Sequence, residues 1–355
     1  MLFQIWLLFA SAAWMVSSQP NQGEQVAPPI RYTIASGICG SNMAWTLTDE
    51  GTLRIIGQGR MADFGQSGYA PWFEYRAHIK TLIIEPGVAS VGGAAFSSLP
   101  ALAWVTIAES VTSVGHSAFA YCTGLSEVIL PAGVTSVGEA AFASCSNLSR
   151  MNIPVGVTSI GAGAFAGCDE LEAIRVEGGN ANYTSVEGVL FSKDKSRLVQ
   201  YPAGKAAVTY LIPAGVTTIG NYAFFGSYAL ARVVIPAGVT TIGDYAFEEC
   251  TGLSSVVLPD GITTIGHAAF LDCAGLSRMV LPSSVTSIGE QAFAHCTNLT
   301  AIINLNPAPQ PISGNTFASA GIDTLYVADR SIAAYQSAPV WNEFSTILPA
   351  TSRLP

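Results

Sequence analysis

Six cysteines fall at one position of a 23-residue period: Cys122, Cys145, Cys168, Cys250, Cys273 and Cys296, each three residues after a phenylalanine. Thiols at fixed spacing could pair as disulfides, hold a metal or act as nucleophiles, and each role needs different partners. A column of identical side chains stacked coil on coil points in parallel, which is poor geometry for a disulfide torsion. The same slot holds Leu99 in one repeat and Ser227 in another. Such replacements suit small packing groups better than ligands or nucleophiles. The six are therefore expected to be reduced and buried, and Cys39, outside the column, to be the odd thiol.

Other chemistry is sparse. Of the four histidines, His116 and His267 share a repeat column while His78 and His295 lie elsewhere, and none has a neighbour at zinc-ligand spacing. The GQSG stretch at 65–68 has its second glycine one residue too early for a nucleophile elbow. There is no phosphate loop and no dinucleotide fingerprint. Acids are scattered without a pair assignable as acid and base, so no enzyme, cofactor or metal is expected. The hydroxyl pairs from Thr112 and Ser113 through Thr286 and Ser287 look like the ladders of ice-binding solenoids, but turn hydroxyls bonding to backbone are the simpler reading. Three sequons, at Asn147, Asn182 and Asn298, matter only in a eukaryotic host.

The elements that carry these residues follow the period. Phe96, Phe119, Phe142 and Phe165 are one repeat apart, as are Phe224, Phe247, Phe270 and Phe293, and a Leu column runs beside them from Leu102 to Leu299. A period of this length with Leu, Val and Ile at fixed offsets predicts a leucine-rich-repeat solenoid. Coils are expected to start at Ile79, Leu102, Leu125, Leu148, Leu171, Ala207, Leu230, Leu253, Leu276 and Leu299. In each, an alternating strand such as 127–130 ends at a proline, which supplies no backbone donor. A second short extended piece follows, and then the Ala-Phe segment as a short helical or 3₁₀ turn. Stacked at strand spacing, the coils give a length on the order of 50 Å. The predicted fold is an α/β solenoid with one parallel strand ladder from Ile79 to about Ile303. Residues 31–76, with alternation around Asp49, Glu50 and Gly51, read as a β-rich N-terminal cap, and 77–306 as the solenoid. An insert at about 177–206 reads as a β-hairpin that adds no coil, and 307–355 as a strand-helix C-terminal cap and tail.

Half of the chain is hydrophobic, 11% is charged and the net charge is -9, yet after residue 20 no apolar run approaches the roughly 18 residues of a membrane span. Residues 2–16 form an apolar stretch ahead of Ser17 and Ser18. They read as a signal peptide, 1–18, followed by a linker, 19–30. Neither a membrane span in the mature chain nor a nucleic-acid partner is expected.

The repeat phrase, close to LxxVxIPxGVTSIGxxAFxxC, resembles that of the BspA-like leucine-rich repeat proteins, also described from treponemal surface proteins. The likeness covers about 31–348, including SGICGSNMAWTLTDEGTLRIIGQGRM, NANYTSVEGVLFSKDKSRLVQYPAGK and TLYVADRSIAAYQSAPVWNEFSTIL. It implies a secreted or surface-displayed interaction protein, with adhesion to host or matrix proteins, and it carries no catalytic residues. Residues 348–352 depart from a sortase signal, with Ser352 where glycine is expected.

The strand face is the candidate binding surface. If Val105 and Ile107 point inward, Trp104 and Thr106 point outward. Equivalent outward positions include Arg150, Arg175, Leu211, Arg232, Val234, Val257, Arg278 and Val280. Leu211, Val234, Val257, Val280 and Ile303 would make a continuous exposed apolar stripe beside the arginines, a common mark of an interaction site. β-branched residues also fill strands for propensity alone. A protein ligand is expected; the alternative is a polysaccharide-binding accessory protein, which would need exposed rings where only Trp104 is aromatic.

Overall fold

The computed structural model describes residues 32–65 and 69–350. The expected signal peptide and linker lie outside the described residues. The chain is a β-solenoid of about 12 turns, with parallel strands and few helices.

Most coils contribute two short parallel strands. The first column begins with an antiparallel meander of Thr33–Gly40, Met43–Thr48 and Thr52–Gly57, whose last strand pairs in parallel with Thr81–Ile84 and so passes the ladder to Trp104–Ile107. The second column stacks the Val-Thr-Ser pieces, such as Ser113–Val114, Ser136–Val137 and Ser159–Ile160. Threonine hydroxyls fix the step between coils: Thr135, Thr158, Thr263 and Thr286 each donate to the carbonyl of the residue 23 positions earlier, at 3.1 to 3.3 Å.

The core lies between the columns and is built from the phenylalanines. From Phe96 to Phe165, and again from Phe224 to Phe317, successive rings stack at 4.7 to 5.9 Å. Buried Trp72 opens the column on Phe96, and Trp341 and Phe344 close it on Phe317. Burying one such ring is worth about 2–3 kcal/mol, and each stacked pair adds about 1 kcal/mol.

Three expectations need correction. The Ala-Phe segments are turns, not helical or 3₁₀ pieces. Two residues four apart are left-handed in each, for example Ala140 at φ 51 and Ser144 at φ 58, which no right-handed helix tolerates. The conformation is held from outside: the N–H groups of Ala140, Phe142 and Ser144 donate to Ala162, Ala164 and Ala166 of the next coil, while those between them bond within the turn. A third inter-coil ladder results.

The first column is not one continuous ladder. It pairs Arg150–Ile153 with Ala173–Val176, then Thr209–Leu211 with Arg232–Val234 and Ser255–Val257, and then Arg278–Leu281 with Ala301–Asn304. Residues 127–130 are outside any strand, though Val128 and Leu130 are buried. The ladder also runs past Ile303, through Thr324–Val327 to Thr346–Pro349.

The insert adds no coil: it lengthens the one that starts at Leu171, lying between that coil's first-column strand, Ala173–Val176, and its second-column strand, Arg197–Gln200, and it packs into the core. Tyr183–Val186, Val189–Ser192 and Arg197–Gln200 form an antiparallel meander, and Arg197–Gln200 pairs in parallel with Thr218–Ile219 in the second column. Val189, Leu190, Phe191, Leu198 and Tyr201 are fully buried. Leu190 belongs to the N-terminal core, while Val189, Phe191 and Tyr201 belong to the C-terminal one. Tyr201 takes a place in the ring column, 5.1 Å from Phe224. On the turn side the insert contributes less chain, and Gly163 and Gly167, both left-handed, meet the next coil directly. A Cβ at Gly163 would lie 3.1 Å from the Tyr222 ring, and one at Gly167 would lie 3.4 Å from Phe225.

Finally, Ile303 is buried and Val105 is half-buried. Tyr326 pairs beside Ile303 in the extended ladder, and Ala350 packs on both, so the expected stripe ends under the C-terminal coils.

Candidate functional site

The alternation of each first-column strand decides which side chains reach solvent. In Arg232–Val234 and its neighbours, Tyr210, Val233 and Val256 point into the core, so the residues on either side point out. Of the predicted face, Trp104, Arg150, Arg175, Leu211, Arg232, Val257 and Arg278 are exposed, and Val234 and Val280 half-buried.

The structure divides these nine residues into two groups. Leu211, Val234 and Val257 are direct neighbours in register, with Arg232 beside them between Thr209 and Ser255. Leu211 is 65% and Val257 57% exposed, which makes this an uncovered apolar strip. One coil further on, Arg278 and Val280 pair with Ala301 and Ile303. The other group lies beyond the insert. Arg150 pairs with Ala173 and Arg175 with Asn152, and Trp104, 63% exposed, sits further back opposite Thr81. The insert separates the groups: Gly188 abuts Ala173, and the Ile174 N–H donates to the Gly188 carbonyl at 2.8 Å. Arg150, Arg175 and Arg232 make no ion pair among the described residues.

Sequence reasoning missed a groove of about 360 Å³ at the end of this face, lined by Arg278, Ala301, Ile303, Thr324 and Tyr326 among others. The signal was present, since Tyr326 follows Ile303 by one repeat within an alternating run. The slip of Phe317 by one residue from the Phe column hid it. A second, polar cavity of about 210 Å³ lies at the insert, beside Tyr183, Arg197, Gln200 and Asn221.

The thiols occupy a different environment. All seven cysteines are free and buried. Each of the six in the column donates from Sγ to the carbonyl of the phenylalanine 26 residues earlier, as Cys122 does to Phe96 at 3.0 Å. Burial pushes the Cys122, Cys168, Cys250 and Cys296 thiols up to about 12. Among the described residues no group of three His, Cys, Asp or Glu could hold a metal ion, and no helix is long and apolar enough to cross a membrane.

A family profile described as "BspA type Leucine rich repeat region" matches six copies, over residues 69–196 and 213–338. Solved structures agree on the fold. A leucine-rich repeat protein from Eubacterium ventriosum is 26% identical, covers 88% of this chain and 84% of its own, and superposes with a TM-score of 0.62. A leucine rich cell surface protein from Faecalibacterium prausnitzii is 24% identical, with 90% and 98% covered and a TM-score of 0.65. The pneumococcal vaccine antigen PcpA is 19% identical, with 88% and 98% covered and a TM-score of 0.64. No curated protein sequence matches the chain.

Proposed function

Because the chain belongs to the BspA-type leucine-rich repeat family, we propose that it is an exported, non-enzymatic protein-binding module that recognises host or matrix proteins through its strand face. The observation that carries this reading is the exposed strip of Leu211, Val234 and Val257, flanked by Arg232 and leading to Arg278 and Val280. An uncovered apolar strip with a cation at its margin is the make-up of an interface centre and rim. A rigid ladder presents it without an ordering cost, which favours affinity. Trp104, Arg150 and Arg175 form a separate patch on the other side of the insert. Polysaccharide stacking is the weaker reading, because Trp104 is the large exposed ring on this face and its neighbours Thr81 and Thr106 are not aromatic.

The test is affinity capture on an array of purified extracellular matrix proteins, comparing the wild-type chain with Arg232→Ala, Val257→Ser and Arg278→Ala combined. Binding is expected to fall by at least 30-fold, with the unfolding midpoint nearly unchanged because Arg232 and Val257 are exposed. Undiminished binding by the triple variant would remove the strand face from the function.

A further inference from the structure

The opposite side of the solenoid has its own chemistry. Its surface is formed by the Ala-Phe turn segments, 92–99, 115–122, 138–145, 161–168, 220–227, 243–250, 266–273 and 289–296. Together they hold six acids, Glu139, Asp244, Glu248, Glu249, Asp272 and Glu290, and no Lys or Arg. Asp169 and Glu170 follow directly, while His116, His267 and His295 are the basic-type side chains present.

Where the insert shortens the turn side, this acidic surface opens into a groove of about 220 Å³. Tyr121 forms one wall; Tyr222 and Phe225, leaning toward Gly163 and Gly167, form the other. The floor is Ala140 and Gly163, and Glu139 stands exposed at the rim. Tyr121 is 59% exposed, and Tyr222 is held by stacking on Tyr245 at 4.7 Å.

We propose that this groove takes a lysine or arginine side chain from a basic segment of a protein partner, at a second interaction surface distinct from the strand face. Ring faces attract cations, most strongly where water is partly excluded. The methylene stem of such a side chain would lie over the alanine floor, its charged head between the rings and the Glu139 carboxylate. A sugar would require convergent amides and hydroxyls, whereas the lining is mainly alanine, glycine and rings. The groups acting on Tyr222 are acidic, and Arg197, against Gly220, is the cation on the insert side. Besides burial, Tyr245, Glu248, Glu139 and Asp244 push the Tyr222 hydroxyl up to about 12. A mostly acidic surface also steers a basic segment toward the groove.

The test is fluorescence anisotropy of a labelled eight-residue oligolysine against the full chain and its Tyr121→Ala, Glu139→Gln and Glu109→Gln variants. Glu109 is exposed but lies outside the turn segments, so Glu109→Gln controls for net charge. The expected result is at least fivefold weaker binding for Tyr121→Ala and for Glu139→Gln, less than twofold for Glu109→Gln, and affinity that falls with salt. Equal losses at Glu109 and Glu139, or no loss at Tyr121, would overturn the proposal. Sedimentation of the unliganded chain covers the remaining occupant: self-association abolished by Glu139→Gln would assign the groove to a second copy and overturn the basic-segment reading. The strand-face triple variant should bind oligolysine as wild type does, which separates this test from that of the other face.

Discussion

Tyr201 is the first ring of the C-terminal half of the core, beside the insert, and two substitutions there should shift stability in opposite directions. Its ring is fully buried, 4.9 Å from Tyr210 and 5.1 Å from Phe224, and its hydroxyl is buried without a hydrogen-bond partner. A buried unpaired hydroxyl costs about 1–3 kcal/mol. Tyr201→Phe keeps the ring and removes that cost, so it should stabilise the chain by ~1 kcal/mol. Tyr201→Ala removes the ring and leaves a cavity, a loss of about 3–5 kcal/mol. The Ala variant should also split the transition. Each coil of a solenoid touches only its neighbours, so weakening one joint uncouples what lies on either side. Guanidinium unfolding followed by far-ultraviolet circular dichroism would report the midpoint. Parallel fluorescence in a Trp341→Phe background would report the N-terminal half, which holds Trp45 and Trp72. Destabilisation by Tyr201→Phe would show that the hydroxyl is bonded. A loss below about 1 kcal/mol for Tyr201→Ala would show that the insert is not part of the core.

Native alkylation with iodoacetamide at pH 8 should leave the column cysteines unmodified, since burial disfavours the reactive thiolate, and denaturant should expose all of them; rapid native labelling of Cys168 would contradict this. Burial, then repulsion from Glu249 and Asp272, raises the Glu248 carboxyl from 4.5 to about 7. The folded chain therefore holds this proton more tightly than the unfolded one, and the stabilisation, complete below about pH 4.5, is lost as pH rises through about 7. With the side chain half in solvent the loss is discounted to ~1 kcal/mol, and thermal melts of Glu248→Gln should lack that slope. Gly167→Ala and Gly215→Ala both place alanine at positive φ, but only Gly167 has neighbours near the added Cβ, Ser144 at 3.2 Å and Phe225 at 3.4 Å. Melting should show Gly167→Ala the more damaging, at about 1–2 kcal/mol; equal losses would mean the close approach at the joint is unimportant.

The repeat made most of the fold readable. A period of 23 fixes which residues stack, and two-residue alternation places Val128, Leu130, Val256 and Leu258 inside. Local propensity misled at the turns. Ala-Ala-Phe reads as a helix start, but bonds to the next coil hold Ala140 and Ser144 left-handed, and no window within one repeat contains that partner. The insert broke the period, so its burial was not readable from the repeat, although Val189, Phe191, Leu198 and Tyr201 spell a buried hairpin. Exposure on the strand face was readable for Leu211 and Val257, which nothing covers. It was not readable for Ile303, whose cover, Tyr326 and Ala350, comes from coils that the one-residue slip at Phe317 conceals.

The two faces also differ in how they place like charges. On the strand face no arginine stands opposite another: Arg150 pairs with Ala173, Arg175 with Asn152, Arg232 with Thr209 and Ser255, and Arg278 with Ala301. Directly opposed like charges on adjacent strands are destabilising, and that spacing avoids the penalty. The turn face does not avoid it. Glu248 is raised in part by Glu249 and Asp272, and Asp169, after burial, by Glu249 and Glu170. A cation arriving at such a surface is attracted by several acids at once. The strand face offers an apolar strip with little stored repulsion, so its affinity should come from buried area and depend weakly on salt. Binding at the turn face should come mainly from charge and fall steeply with salt.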